Sequence, residues 1–309
     1  MTALRLGTRS SRLALAQAGA VAAGLEAALG VQVELVPVST AGDRSSSPLT
    51  EIGGRGVFVG AVRQALADGH VDLAVHSLKD LPTIPDPRVT TAAVPAREDP
   101  RDALVARDNL TLGELPAGSR VGTGSPRRAA QLFALGLGLV VVDVRGNVDT
   151  RLRLVVEHVV DAVVVARAGL LRLGAESSAT EVLDPLQMLP APGQGALAVE
   201  VAASSHVLCG DIAAALDDAR TRCAVTAERA LLRGLEAGCT APVGALADVA
   251  EGDDGPEIWL RGVVAADDGS AVVRLSAAGP AGEAEELGRR LARDMLANGA
   301  ADLVREPVS

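Results

Sequence analysis

Short apolar runs alternate with longer alanine- and leucine-rich stretches from residue 3 to about residue 215, and no other feature of the chain narrows its possible folds as much. Residues 3–9 read as a strand and 11–29 as an alanine-rich helix. Val31 to Ser39 reads as a second strand, with Val33, Leu35 and Val38 as its apolar positions, and Phe58 to Ala67 as a second helix. The run from Val71 ends in the polar cluster His76-Ser77-Leu78-Lys79-Asp80 and is stopped at Pro82, the pattern of a buried strand delivering polar groups at its carboxyl end. Such alternation predicts α/β architecture with mostly parallel sheets, in which ligands sit beyond the carboxyl ends of the strands. The hydrophobic fraction is 48%, yet there is no tyrosine, one tryptophan and two phenylalanines, so the cores are built from small aliphatic side chains, as suits buried parallel strands.

At 309 residues the chain can hold two or three domains. Two proline-bearing connections, Val94 to Pro100 and Leu189 to Gly195, bracket a segment with its own strands and helices. They predict a domain at 96–190 inserted into a discontinuous first domain, 1–95 with 191–214, with a cleft between the two. Beyond about residue 215 the pattern changes. A helix over Cys223 to Leu235 precedes strand-like Glu257 to Ala265 and Ser270 to Ala277, joined by Asp267-Asp268-Gly269, and a last helix runs from about Glu283 to Asn298. This predicts a small third domain, 215–309, with an antiparallel sheet.

Net charge is −10 and the pI near 5.0, which argues against general nucleic-acid binding but leaves room for a local arginine-lined cleft. The first residues enter a strand without a signal-peptide layout, and no apolar run approaches the roughly 18 residues of a membrane span. Cys209, Cys223 and Cys239 are odd in number and lack metal spacing, so a reduced, cytoplasmic protein without a metal site is expected. The stretch from Gly42 to Val57 is rich in glycine and serine and reads either as a mobile lid or as a tolerated surface loop.

Lys79 is the only lysine; the other 28 basic residues are arginines. Several of these arginines fall at strand-to-helix junctions: Arg9 before Ser10-Ser11, Arg127 and Arg128 after Val121 to Pro126, Arg145 and Arg151 around Gly146 to Thr150, and Arg167 and Arg172 after Ala162 to Val165. A helix N-terminus is already partly positive, so arginines there are mildly unfavourable unless an anion joins them. Any one of them alone reads equally as a surface or salt-bridged arginine; together they predict a small ligand with several negative groups. Asp80 would repel such a ligand unless the ligand's centre is cationic or rich in N–H donors; its other reading is a salt-bridge partner for an arginine. Cys239, in the turn Gly238-Cys239-Thr240, is a candidate reactive residue, whereas Cys209 and Cys223 read as small hydrophobes. Two further readings are open at this level: a non-catalytic anion-binding module, and a lyase or pyridoxal phosphate enzyme with Lys79 as Schiff base.

Read together and in order, Gly7-Thr8-Arg9-Ser10-Ser11, Gly53-Gly54-Arg55-Gly56, His76 to Asp80, Arg97 to Asp102, Arg127-Arg128, Arg145 to Arg151, Gly193-Gln194-Gly195 and Gly238-Cys239 resemble the porphobilinogen deaminase family over nearly the whole chain. The resemblance implies two α/β domains folded like periplasmic binding proteins, with a cleft between them, plus the small third domain. It implies an enzyme that joins four porphobilinogen molecules stepwise with loss of ammonia and frees hydroxymethylbilane by hydrolysis, for tetrapyrrole and haem biosynthesis. It also implies a dipyrromethane cofactor held by a thioether to Cys239, Asp80 as catalytic acid and base, and a monomer. By the same carry-over Arg9, Ser11, Lys79, Thr123, Ser125, Arg127, Arg128, Arg145, Arg151 and Arg172 bind the carboxylates of cofactor or substrate. Departures from the family pattern fall at Arg12, Gly60, Arg55, Gly124 and Pro126, and do not touch Asp80 or Cys239.

Overall fold

The computed structural model describes residues 3–38, 57–236, 241–253 and 255–304. The chain begins β1 (Leu4–Arg9), α1 (Arg12–Leu29), β2 (Val33–Val38), α2 (Val57–Ala67), β3 (Leu73–Ser77) and β4 (Val89–Ala93). It continues β5 (Asp102–Ala106), β6 (Arg120–Gly122), α3 (Pro126–Ala134), β7 (Val140–Val142), α4 (Val148–Val156), β8 (Ala162–Ala166), α5 (Arg167–Arg172) and β9 (Glu181–Val182). The remainder is β10 (Leu197–Ala202), α6 (His206–Leu216), α7 (Ala219–Gly234), β11 (Val243–Gly252), β12 (Gly255–Ala265), β13 (Val272–Pro280) and α8 (Ala284–Met295). These elements form two compact units, one of Met1–Glu98 with Ala196–Arg222 and one of Asp99–Gly195 with Cys223–Ser309.

In the first unit the sheet order is β2-β1-β3-β10-β4, with β1, β2 and β3 parallel and β10 antiparallel to both its neighbours. Helix α1 starts because the Ser11 hydroxyl accepts the Ala14 N–H, and ends at Gly30, whose φ of 65° suits a residue without Cβ. Between these caps Ala18, Val21, Ala22 and Leu25 recur at helical spacing and bury against Leu6, Leu73, Val75 and Val199 of the sheet. The opposite face of the sheet is covered by Val62 and Leu66 of α2, which meet Val71 and Ala74. With both faces covered, β3 is apolar at successive positions rather than alternate ones, which is why its sequence reads as an unbroken run.

The second unit contains a sheet of order β7-β6-β8-β5-β9 and a separate antiparallel sheet, β11-β12-β13. Its five-stranded sheet repeats the plan of the first: the parallel strands lie second, first, third, followed by one antiparallel strand and an edge strand. The expectation of mostly parallel sheets therefore holds only in part, because both five-stranded sheets are mixed. The three-stranded sheet packs one face on α7 and α8 through Leu231, Leu235, Ile258, Leu260, Leu287, Leu291 and Met295. Gly262 permits that contact, because a Cβ there would lie 2.8 Å from both Leu231 and Met295. Strand β11 was not foreseen from sequence. Its Ala-Leu-Ala-Asp-Val-Ala composition has no strong strand propensity, and pairing with β12 along its whole length decides its state.

Candidate active site

Because β1, β2 and β3 are parallel, their carboxyl ends share one edge of the first sheet. Arg9 is the last residue of β1, and continuing the register Gly7↔Ala74 sets it level with His76. Strand β3 ends at Ser77, and a 3-10 turn over Leu78–Asp80 follows. That turn is tied down at its start, where the Leu78 N–H donates to the Ala196 carbonyl at 3.0 Å, and it closes with Leu81 N–H on the Leu78 carbonyl at 3.2 Å. Leu78 and Leu81 are buried on either side of it, which leaves Lys79 half-buried and Asp80 exposed. Among the described residues Asp80 has no hydrogen-bond or ion-pair partner, so the arginine salt bridge that was its other reading is not formed there. Ser11 spends its hydroxyl on the Ala14 N–H at 3.3 Å.

Behind this edge lies a charged group that the sequence reading missed. Glu200 on β10 is 1% exposed and accepts from Arg63 of α2 through Nε at 2.8 Å and Nη2 at 2.6 Å. Nε2 of His76, on β3, stands 3.4 Å from the same carboxylate. Burial alone would raise the Glu200 carboxyl, but the hydrogen bonds from Arg63, with the His76 imidazole close by, outweigh it and hold it at about 2. An acid inside the apolar run Leu197-Ala198-Val199-Glu200-Val201 was the available signal.

The corresponding edge of the second unit carries most of the predicted anion ligands. Thr123 follows β6 and is buried, its hydroxyl accepting from the Ser125 N–H at 3.2 Å. Gly124 is glycine because a Cβ would come within 2.7 Å of the Val144 carbonyl. Ser125 then takes the N-cap position of α3 without using its side chain as a cap, with Pro126 at the first helical position. Arg127 and Arg128 are buried and converge on the fully buried Asp102: Nη2 of Arg127 reaches Oδ2 at 2.8 Å, and Nη2 of Arg128 reaches Oδ1 at 2.7 Å. Their Nη1 groups go to the carbonyls of Leu189 at 2.6 Å and Val164 at 3.0 Å, and Gln194 adds a 2.8 Å hydrogen bond to Asp102. Burial would raise the Asp102 carboxyl, but the two guanidiniums overcome it and hold it well below the usual carboxylate range. The forks expected on a ligand are thus engaged by an internal carboxylate, because two guanidiniums this far from water need a counter-charge.

Arg145 and Arg151 differ from that pair. Gly146, with φ of 99°, turns the chain so that Asn147 caps α4 on the Thr150 N–H at 2.8 Å. Arg151 gives Nε to the Gly146 carbonyl at 3.0 Å, and among the described residues its terminal nitrogens meet no acceptor. Burial, together with the charges of Arg128 and Arg145 and despite the opposing Asp143, lowers the Arg151 guanidinium to about 10. Arg145 is exposed and touches Asp143 at 3.3 Å. Arg172, on α5, donates to the Gly195 carbonyl at 2.7 Å. A partly desolvated cation flanked by two others, with one carboxylate against them, suits a ligand carboxylate. The donor set therefore fits the acidic arms of a dipyrromethane. Cys239 and the residues up to 56 of the glycine-rich stretch lie outside the described residues. Among the described residues no group of three His, Cys, Asp or Glu side chains is placed to hold a metal, and no helix is long and apolar enough to cross a membrane.

Comparison with known proteins bears on the same residues. Residues 4–209 match the family domain described as "Porphobilinogen deaminase, dipyromethane cofactor binding domain", and residues 222–297 match "Porphobilinogen deaminase, C-terminal domain". The porphobilinogen deaminase of Nocardia farcinica is 60% identical over 310 residues, covering 99% of this chain and 89% of its own length. That of Mycobacterium avium is 58% identical over 306 residues, covering 97% and 96%. Among solved structures, immunogenic lipoprotein A from Vibrio vulnificus shares 12% identity at a TM-score of 0.42, covering 69% of this chain and 94% of its own. A periplasmic substrate-binding protein of an ABC transporter from Coxiella burnetii shares 14% at 0.43, covering 68% and 91%. Those two scores are too low to add to what the strand orders show. The two family domains and the full-length identities decide the matter: this chain belongs to the porphobilinogen deaminase family, enzymes that build a linear tetrapyrrole from porphobilinogen with a dipyrromethane cofactor.

Proposed function

We propose that Asp80 is the acid and base of porphobilinogen turnover in this chain, that Cys239 carries the dipyrromethane, and that Arg9, Lys79, Arg145, Arg151 and Arg172 hold carboxylate arms. Ser11, Thr123 and Ser125 supply neighbouring polar groups, and Arg128 lends its charge to Arg151 while its fork stays on Asp102. The observation that carries this reading is Arg151, a partly desolvated guanidinium between two other arginines whose terminal nitrogens have no acceptor among the described residues. When bound, the dipyrromethane supplies the free pyrrole α-carbon at which the chain of pyrroles is started. The exposed Asp80 carboxylate favours the positive charge that spreads over a substrate pyrrole as its C–N bond breaks and ammonia leaves with the electron pair. After the new C–C bond forms, the same carboxylate accepts the proton lost from the ring carbon.

The three sheets support a division into domains at 1–95 with 191–214, 96–190 and 215–309. The net charge of −10 supports small-molecule substrates without nucleic acid as a partner. The odd, unspaced cysteines and the family resemblance support a cytoplasmic monomer. Two measurements test the proposal. Asp80→Asn is expected to fold and bind porphobilinogen while ammonia release falls about 10²- to 10⁴-fold; near-normal release removes Asp80 as acid and base. The intact mass of the purified protein is expected to exceed that of the bare chain by two pyrrole units, and Cys239→Ser to lose that excess. An unmodified mass in active protein overturns the attachment.

A further inference from the structure

Arg63, Glu200 and His76 form a charged cluster outside the ligand-binding edge, with side chains buried between α2 and the first sheet. Burial of such a group is costly: each ion loses its water, and hydrophobic side chains of similar volume would often serve the fold as well or better. What the cluster does provide is a fixed geometry. The Arg63 fork engages both oxygens of Glu200, so the roll of the carboxylate is set by a planar, two-point contact. Glu200 lies opposite Ala74 and Ala198 opposite His76 in the β10–β3 ladder, so the carboxylate reaches the imidazole diagonally across adjacent strands. Beside Glu200 the pairing of β10 with β4 shifts by one residue, a bulge at the position where the acid is inserted. The cluster therefore joins three elements, α2, β10 and β3, directly beneath the point where β3 gives way to the turn bearing Lys79 and Asp80.

Above the cluster, the turn is tied to the residue that precedes β10. Leu78 N–H on the Ala196 carbonyl makes that tie and Leu81 N–H on the Leu78 carbonyl closes the turn, while the Asp80 side chain has no partner among the described residues to orient it. An acid that moves protons must keep its place to a fraction of an ångström, so a side chain without a partner of its own depends on the backbone that carries it, here the end of β3 beside β10. We propose that Glu200, locked by Arg63 and facing His76, is a positioning residue for Asp80: it fixes the carboxyl end of β3 against α2 and β10 so that the turn presents Asp80 at a constant height. The inference rests on the reading of Asp80 as the acid and base.

Glu200→Gln keeps the side-chain shape and removes the charge. In the loaded enzyme it is expected to lower kcat for porphobilinogen about ten- to a hundredfold, leaving KM within about threefold and the dipyrromethane mass unchanged. Arg63→Lys is expected to recover more of kcat than Arg63→Met, because a charge is kept although the fork is lost. A purely structural role would instead lower the melting temperature and the folded yield while kcat per folded molecule stayed at the wild-type value, and that result overturns the proposal. A rise in KM with unchanged kcat overturns it as well. Should Glu200→Gln fail to fold, the Arg63→Lys and Arg63→Met pair decides on the same kcat and KM readouts. Asp80→Asn measured alongside separates the two ideas: an active Asp80→Asn removes the acid/base reading, whereas an inactive Asp80→Asn beside a fully active Glu200→Gln removes the positioning role alone.

Discussion

Asp102 and Arg127 meet at 2.8 Å with neither side chain appreciably in contact with water. The same carboxylate also takes the fork of Arg128, so one buried acid neutralises part of a two-arginine cluster at the start of α3. Asp102→Asn would leave both guanidiniums buried with hydrogen bonds but no counter-charge. It is expected to destabilise the fold by about 3–5 kcal/mol, read as a lower urea midpoint at unchanged slope.

Arg151 is the opposite case. Its guanidinium bears a desolvation cost without a matching partner among the described residues, so Arg151→Met is expected to leave stability unchanged or raise it slightly. Loss of a charge-assisted contact with a ligand carboxylate is worth about 1.5–3 kcal/mol, which predicts a KM for porphobilinogen roughly 10- to 150-fold higher. Steady-state kinetics together with thermal melts separate the two effects, and a destabilised variant with normal KM would show that Arg151 serves the fold.

Ser11 was expected at a ligand and is found capping α1. Ser11→Ala should cost about 1 kcal/mol of stability and Ser11→Gly only a few tenths, because glycine tolerates the cap position. If KM for porphobilinogen rises equally in both variants, the hydroxyl also serves the ligand.

Glu200 gives the fold a pH dependence whose sign is fixed. Its folded-state value of about 2 lies below the ordinary 4.5, so its contribution is fully present above about 4.5 and is lost as pH falls toward 2. Melting temperatures of the wild type and Glu200→Gln should therefore differ most near neutrality and converge through that window. A constant gap from neutrality to about pH 2 would show that the carboxylate does not titrate there.

The choice between a catalyst and a bare anion-binding module, open from the residues alone, is closed by full-length membership of an enzyme family. Much of the first unit was legible beforehand for a simple reason. Leu73 to Val75 is apolar at consecutive positions and runs into the proline-stopped polar cluster His76 to Asp80, so pattern and terminus agree. Strand β11 was not legible, since its alanine-rich segment carries no decisive period and becomes a strand by pairing with β12.

Local sequence signals determined β1, α1, β2 and β3, where α1 and α3 begin, and that arginines crowd the strand-to-helix junctions. Those properties depend on neighbours a few residues away, and short-range sterics and hydrogen bonding settle them. Which arginine has a carboxylate waiting was decided only by tertiary structure. Arg128 and Arg151 are alike as letters at helix starts, yet a strand 26 residues upstream of Arg128 brings Asp102 to its fork, while Arg151 meets no such acid among the described residues. In the same way Glu200 comes to Arg63 from 137 residues away. Charge is written in the sequence, but its compensation depends on distance in the folded chain, since burial strengthens the attraction between paired charges and makes an unpaired one costly.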